Sequence, residues 1–292
     1  MATELDLAYD HCGRIARSEA KNFYYAFRTL PSAKRRAIYA LYAFCRMCDD
    51  AADEERPADD KRRLLQSIRL KLEQSRNGGP PGLVFTALRD AIDRFGIPLQ
   101  HLEAIIDGVE LDLTKTRYES FEDLRRYCYG VASAVGLVCI EVFGYTDPRA
   151  SEHAIDLGLA MQLTNIMRDL KEDAERGRIY LPLDEMASFG YTESELMSGE
   201  TNGAFRSLMG FQVERARRYF ESGRRLLPLL PAQSRACPAV LLGFYSAILD
   251  RIEASGFDVY RRRVRLSSTE KLLLLARLWA TSLISSTPLQ RR

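Results

Sequence analysis

Apolar positions along this chain recur at intervals of three and four residues, and nothing alternates for long in the manner of a strand. The pattern predicts helices over about 5–20, 32–56, 60–75, 83–95, 98–114, 120–144, 148–175, 203–228, 236–254 and 267–285. Breaks fall at RNGGPPG (76–82), at the Gly-Tyr-Thr-Asp-Pro turn (144–148), at SGETNG (198–203) and at LLPLLPAQ (226–233). None is long enough to serve as a domain linker, and no fixed repeat is present. The expectation is one all-α domain spanning residues 1–292.

Against that background the acidic positions stand out. The stretch CRMCDDAADEE, residues 45–55, follows an apolar segment and carries five carboxylates in eleven positions. A second acidic stretch, QLTNIMRDLKEDAERGRIYLP, follows 120 positions later. Asp49 and Asp53 are four apart, as are Asp169 and Asp173, so each pair projects from one helical face. Like charges at that spacing cost a helix about 0.2–0.5 kcal/mol, more beside an apolar segment, unless a cation neutralises them. Mg²⁺ suits such sites: it prefers oxygen ligands and is held by one or two carboxylates together with substrate phosphates. Arg46 and Arg168 precede the two pairs, and Gln162 and Asn165 lie upstream of the second. Guanidinium is suited to bidentate phosphate contact, so carboxylates for a metal and arginine for an anion occur at both places. A single acidic pair reads more simply as a solvated helix end; two matched pairs read as a diphosphate clamp.

Other chemistries are excluded by spacing. None of His11, His101 or His153 has Glu three positions before it, which removes the carboxylate di-iron bundle, and neither an EF-hand loop nor a zincin motif is present. Cys45 and Cys48 form the one pair with zinc or redox spacing and read as helix packing. The other cysteines show no disulfide framework. A net charge of +2, from 42 basic and 40 acidic residues, gives no reason to expect a nucleic-acid partner. MATELDLAYDHCGR lacks the apolar core of a signal peptide, and a cytoplasmic location is expected.

Four strings, NFYYAFRTLP, ALYAFCRMCDDAADE, DLTKTRYESFEDLRRYCYGVASAVG and AMQLTNIMRDLKEDAERGRIYLP, resemble the squalene/phytoene synthase family of head-to-head prenyl transferases, from about Arg14 to Arg265. The resemblance implies the isoprenoid synthase helical bundle with a central apolar cavity. It leans toward the bacterial presqualene diphosphate synthases of hopanoid biosynthesis. It further implies prenyl diphosphates as small-molecule substrates, with two or three Mg²⁺ ions bound beside the diphosphates. By that resemblance Asp49, Asp53, Asp169 and Asp173 are metal ligands and Asn165 helps order the metal. Arg46, Gln162 and Arg168 face diphosphate, Tyr127 sits near the reacting carbons with Tyr129 as a rival for the role, and Tyr245 and Arg263 reach the diphosphates. In SEAKNFYYAF, Ala20 and Asn22 stand where many relatives have serines, so Lys21, Asn22 and Phe23 are read as the substrate contacts there.

The implied reaction is condensation of two farnesyl diphosphates to presqualene diphosphate, with no NADPH. Two alternatives stand beside it: further rearrangement to a phytoene or dehydrosqualene hydrocarbon, and a non-catalytic scaffold of the same shape. C15 and C20 substrates are not distinguished by the pattern. Small residues at Ala132, Ser133, Ala134, Gly136, Gly158 and Ala160 read either as cavity framing or as close helix packing. The basic run Arg261, Arg262, Arg263 and Arg265, followed by KLLLLARLWATSLI, reads either as a peripheral contact with the inner membrane face or as a docked terminal helix.

Overall fold

The protein, seen in a computed structural model, is built from helices. Residues 3–20, 22–53, 56–76, 82–267, 269–271 and 273–274 are described, and among them there is no strand. In chain order the helices are α1 (Glu4–Glu19), α2 (Asn22–Phe27), α3 (Ser32–Asp53), α4 (Ala58–Arg76), α5 (Leu83–Phe95), α6 (Leu99–Leu111), α7 (Phe121–Cys128), α8 (Ala134–Phe143), α9 (Ala150–Arg168), α10 (Leu170–Glu175), α11 (Leu183–Ser188), α12 (Glu193–Ser198), α13 (Gly203–Arg224) and α14 (Ala232–Ala254). The expected all-α class holds. The terminal helix expected over 267–285 lies mostly outside the described residues.

Local sequence sets the boundaries that were legible. Thr3 caps α1 with Asp6 in a reciprocal capping box, and Asn202 accepts from the Phe205 amide to start α13. α5 stops at Gly96, whose φ of 65° is left-handed. The short helices α2, α11 and α12 carry too few turns to show a period, and the sequence pattern misses them.

Two expected helices are interrupted. The one over 120–144 contains a π-helical turn, Tyr129–Ser133, between α7 and α8. It sits where α6 crosses. A Cβ on Gly130 would fall 2.6 Å from the Gly108 Cα, and one on Gly108 would fall 2.7 Å from Gly130. The backbones touch, which only glycine at both positions allows. The segment Phe121–Phe143 is long and apolar enough by length and composition to cross a membrane, yet most of it is buried within the protein.

The helix expected over 148–175 breaks at Asp169, where φ −104° and ψ 15° end α9 and start α10. The Asp173 amide still donates to the Asp169 carbonyl at 2.9 Å, so the four-residue relation between the two aspartates survives the break. α9 is held closely on both sides: Gly158 meets Ser133 (2.7 Å for an added Cβ) and Gly223 of α13 meets Leu157 (2.9 Å). Gly136 and Gly158 therefore serve close packing and, as described below, border a cavity as well. A single apolar core runs through all the major helices. At one end of it Lys34 donates to the Phe143 carbonyl at the α8 C-terminus (2.5 Å) and to Ser234 Oγ (3.0 Å), tying α3, α8 and α14 together.

Candidate active site

A cavity of about 490 Å³ lies between α3, α6, the α7–π–α8 segment, α9 and α14. Its lining changes character along its length. On α3 the lining runs Ile38, Leu41, Tyr42, Cys45, then Asp49; on α9 it runs Ala154, Leu157, Gly158, Met161, Gln162, Asn165, then Asp169. Fifteen residues of α9 at 1.5 Å each make that gradient about 22 Å long. Both helices thus end with carboxylates at the polar end of the cavity and bury apolar surface at the other. Carboxylates at helix C-termini face the negative end of the macrodipole, an arrangement that favours a cation between them.

The structure brings together Phe23, Asp49, Tyr127, Gln162, Asn165, Asp169, Asp173 and Tyr245 around this cavity. The Asn165 amide donates to Gln162 Oε1 (3.2 Å), while its own Oδ1 is buried with no protein donor. Tyr245 is buried, with its hydroxyl in hydrogen-bonding reach of Arg168 and Asn165 and its ring 6.1 Å from that of Phe23. Tyr127 is buried and borders the cavity, whereas Tyr129 is 37% exposed and is not part of its lining.

The arginines stand differently from the expectation. Arg46, Arg168 and Arg263 lie outside the cavity lining, each held by a carboxylate. Arg46 pairs with Asp50 at 2.6 Å, one turn along α3. Asp169 is gripped by Arg168 (2.8 and 2.5 Å) and by Arg263 (2.8 Å), which also reaches Glu172 at 3.4 Å. The charge of Asp169 is therefore already met by guanidinium, and the unrelieved strain of the pair falls on Asp173. Burial first, then the charges of Asp169 and Asp112, push the Asp173 carboxyl up to about 7 against the pull of Arg178. Lys21 and the side chains of Asn22 and Asp53 lie outside the described residues.

Among the described residues, no three His, Cys, Asp or Glu side chains converge closely enough to hold a metal alone. The donor set nevertheless fits a hard cation that shares its coordination with a substrate. It offers oxygen only, from Asp49, Asp169, Asp173 and the orphaned Asn165 Oδ1, and a diphosphate would supply the rest.

Several neighbours of the site were not foreseen. Asp112, at the end of α6, borders the cavity with Tyr180, Arg176 and Arg178. The segment 177–184 runs beside 116–119, with Ile179 N donating to Thr116 O (2.9 Å) and Leu183 N to Tyr118 O (2.9 Å), which puts Tyr118 and Tyr180 ring to ring. The only signal in the sequence was their presence in the strings DLTKTRY and ERGRIYLP. Cys45, Cys139 and Cys237 also line the apolar part. Burial raises all three thiols, Cys139 to about 12, so they stay protonated and offer no thiolate to a reactive carbon. All six cysteines are free. Cys45 and Cys48 serve as wall and core.

Comparison with known proteins agrees with the fold and corrects the product. The squalene/phytoene synthase family pattern matches residues 16–270. The chain is 39% identical over 284 residues to a 15-cis-phytoene synthase of Synechocystis sp., covering 93% of this chain and 84% of that protein. It is 36% identical over 286 residues to the chloroplastic phytoene synthase 2 of Solanum lycopersicum, covering 96% and 92%. Among solved structures it superposes on a dehydrosqualene synthase with ligand at TM-score 0.88 and 29% identity (97% and 98% covered). A squalene synthase from Alicyclobacillus acidocaldarius follows at TM-score 0.83 and 29% identity (88% and 97%). The expectation of a presqualene diphosphate synthase is overturned by the phytoene synthase relatives, which favour the further-rearranging alternative. The sequence motifs carry the resemblance to the family as a whole and could not separate its products. The chain belongs to the squalene/phytoene synthase family.

Proposed function

We propose that this protein is a phytoene synthase, its residues 1–292 acting as one domain that joins two C20 prenyl diphosphates head to head to give a C40 hydrocarbon. The balance is two diphosphates and two protons released per product, one proton on closing the cyclopropane and one on the final elimination, with no reductant consumed. The observation that carries the reading is the cavity itself, with oxygen donors at one end and about 22 Å of α9 grading into apolar wall. The name borne by its relatives selects the product class.

Asp49, Asp53, Asn165, Asp169 and Asp173 would hold Mg²⁺. When bound, the ion supplies positive charge for the departing diphosphates. Arg46, Arg168 and Arg263 would add cationic and hydrogen-bonding contacts once diphosphate competes for them, and Lys21 and Asn22 are included on the sequence reading alone. Gln162 and Tyr245 orient Asn165 and Arg168. Phe23, Met161, Leu157 and the neutral cysteines exclude water from the carbocation that ionisation leaves behind. Peripheral contact with an anionic membrane face, where a hydrocarbon would leave, is proposed from the exposed Arg261, Arg262 and Arg265. The KLLLLARLWATSLI segment lies mostly outside the described residues.

Incubation with geranylgeranyl diphosphate and Mg²⁺, with farnesyl diphosphate in parallel, tests the proposal by mass spectrometry of the untreated product. The expected result is a C40 hydrocarbon with both diphosphates freed. A cyclopropyl diphosphate as the end product would refute it, and an absence of turnover with either substrate would return the scaffold reading.

A further inference from the structure

Asp112 joins two tyrosines that belong to different parts of the chain. Its Oδ2 accepts from the Tyr127 hydroxyl at 3.1 Å and its Oδ1 from the Tyr180 hydroxyl at 2.9 Å. Arg178 secures the same residue, donating to the Asp112 carbonyl at 3.1 Å and standing 3.8 Å from Oδ2. The rings of Tyr127 and Tyr180 are stacked, 5.1 Å between centroids at 26°. Tyr118, fully buried, backs both at 5.5 and 5.6 Å. Asp112, Tyr127 and Tyr180 border the cavity together with Asp173.

A phenol has one proton to donate. With both given to Asp112, neither hydroxyl points a donor at the cavity, and the carboxylate pushes electron density into both rings. Burial and the nearby carboxylate raise both phenols, so neither ionises to a phenolate that a carbocation could alkylate. What remains is a neutral, electron-rich aromatic surface beside the carboxylates, and such surfaces attract cations. The ion pair with Arg178 and the two phenolic donors also give Asp112 partners of its own.

We infer that Asp112 is a positioning residue that fixes and polarises Tyr127 and Tyr180 as the aromatic wall for the carbocation. This rests on the proposed head-to-head condensation. Asp112 acts through the tyrosines, so its effect belongs to the cationic stage and not to substrate binding.

The test uses the full chain with Asp112→Asn, and with Tyr180→Phe as a second variant that keeps the ring and removes only its hydroxyl. One arm measures binding without turnover: a prenyl tertiary amine, cationic at neutral pH, against its neutral all-carbon isostere, each with Mg²⁺ and inorganic diphosphate. Asp112→Asn should weaken the amine by roughly 5- to 30-fold, the span of a desolvated cation–aromatic contact, and the isostere by less than about 2-fold. The kinetic arm should show kcat falling with KM for the prenyl diphosphate unchanged, and Asp112→Asn should add little in a Tyr127→Phe, Tyr180→Phe background. Equal losses for amine and isostere would overturn the inference. So would a raised Mg²⁺ requirement, which would make Asp112 a metal ligand. If the wild-type protein turns over no prenyl diphosphate, the functional reading fails on its own, and the binding arm still reports on the wall.

Discussion

Replacing Asp173 with asparagine should make the metal-free protein more stable and far less active. Its carboxyl lies at about 7 in the folded chain against an ordinary 3.8, with burial as the main cause and Asp169 as the next. The folded state therefore holds this proton more tightly than the unfolded state does. The stabilisation from that proton is complete below 3.8 and is lost as pH rises through about 7. At 1.36 kcal/mol per pH unit, the site costs the wild type about 2–3 kcal/mol more at about pH 8 than at about pH 5. An unfolding entropy near 2.1 cal/mol/K per residue over 292 residues converts this to about 4 °C. Asparagine has no such titration. Differential scanning calorimetry in EDTA should thus show the variant's Tm advantage widening by about 4 °C between those pH values, while turnover with Mg²⁺ falls by at least about 10². A Tm difference that does not change with pH would refute the argument that Asp173 is charged against its surroundings.

Asp49→Asn should lower turnover by at least about 10² with the fold retained, since under the proposed function it removes metal-binding charge at the polar end of the cavity and no packing; circular dichroism and product release check both halves. Mg²⁺ with inorganic diphosphate should raise the Tm of the wild type, and neither should do so alone, because each completes the other's site; a thermal-shift titration decides it. Gly130→Ala should cost about 1–3 kcal/mol in urea unfolding, because its Cβ would fall 2.6 Å from the Gly108 backbone. Glu185→Ala should cost about 3 kcal/mol by stranding Arg215, which grips Glu185 at 2.5 and 2.9 Å between α13 and α11. KM of that variant should stay at the wild-type value, as the pair lies outside the cavity lining.

The long helices were legible because caps and apolar periods are local properties of sequence. The same locality explains what was missed. The π turn at Tyr129–Ser133 answers to Gly108, more than twenty residues away, and no period announces it. The break at Asp169 has neither proline nor glycine, and the backbone ladder resumes at Asp173 almost as though the helix continued. Asp49, Asp169, Asp173 and the Asn165–Gln162 neighbourhood, singled out from spacing, all border the cavity, but Arg46 pairs with Asp50 and Arg263 with Asp169, choices that depend on side-chain reach in space. Asp112 and Tyr180, 68 positions apart, meet through a loop pairing that nothing local encodes. Product identity was illegible for a different reason: the motifs mark the family as a whole, while the product class follows only from which relatives are most similar along the chain.

At Gly108 against Gly130, and at Gly158 against Ser133, backbone already meets backbone, which leaves the α6, α9 and π-turn side of the cavity with no slack. Helices pressed this close cannot slide apart to admit a longer hydrocarbon, nor move in to grip a shorter one. Any change in the length of chain accepted must come from side-chain volume on the opposite walls, at positions such as Ile38 and Leu41 on α3, Cys139 on α8 and Leu241 on α14. Under the proposed function the fold would act as a gauge of fixed bore whose stop is set residue by residue, so single substitutions on those walls would alter the substrate with no rearrangement of the scaffold.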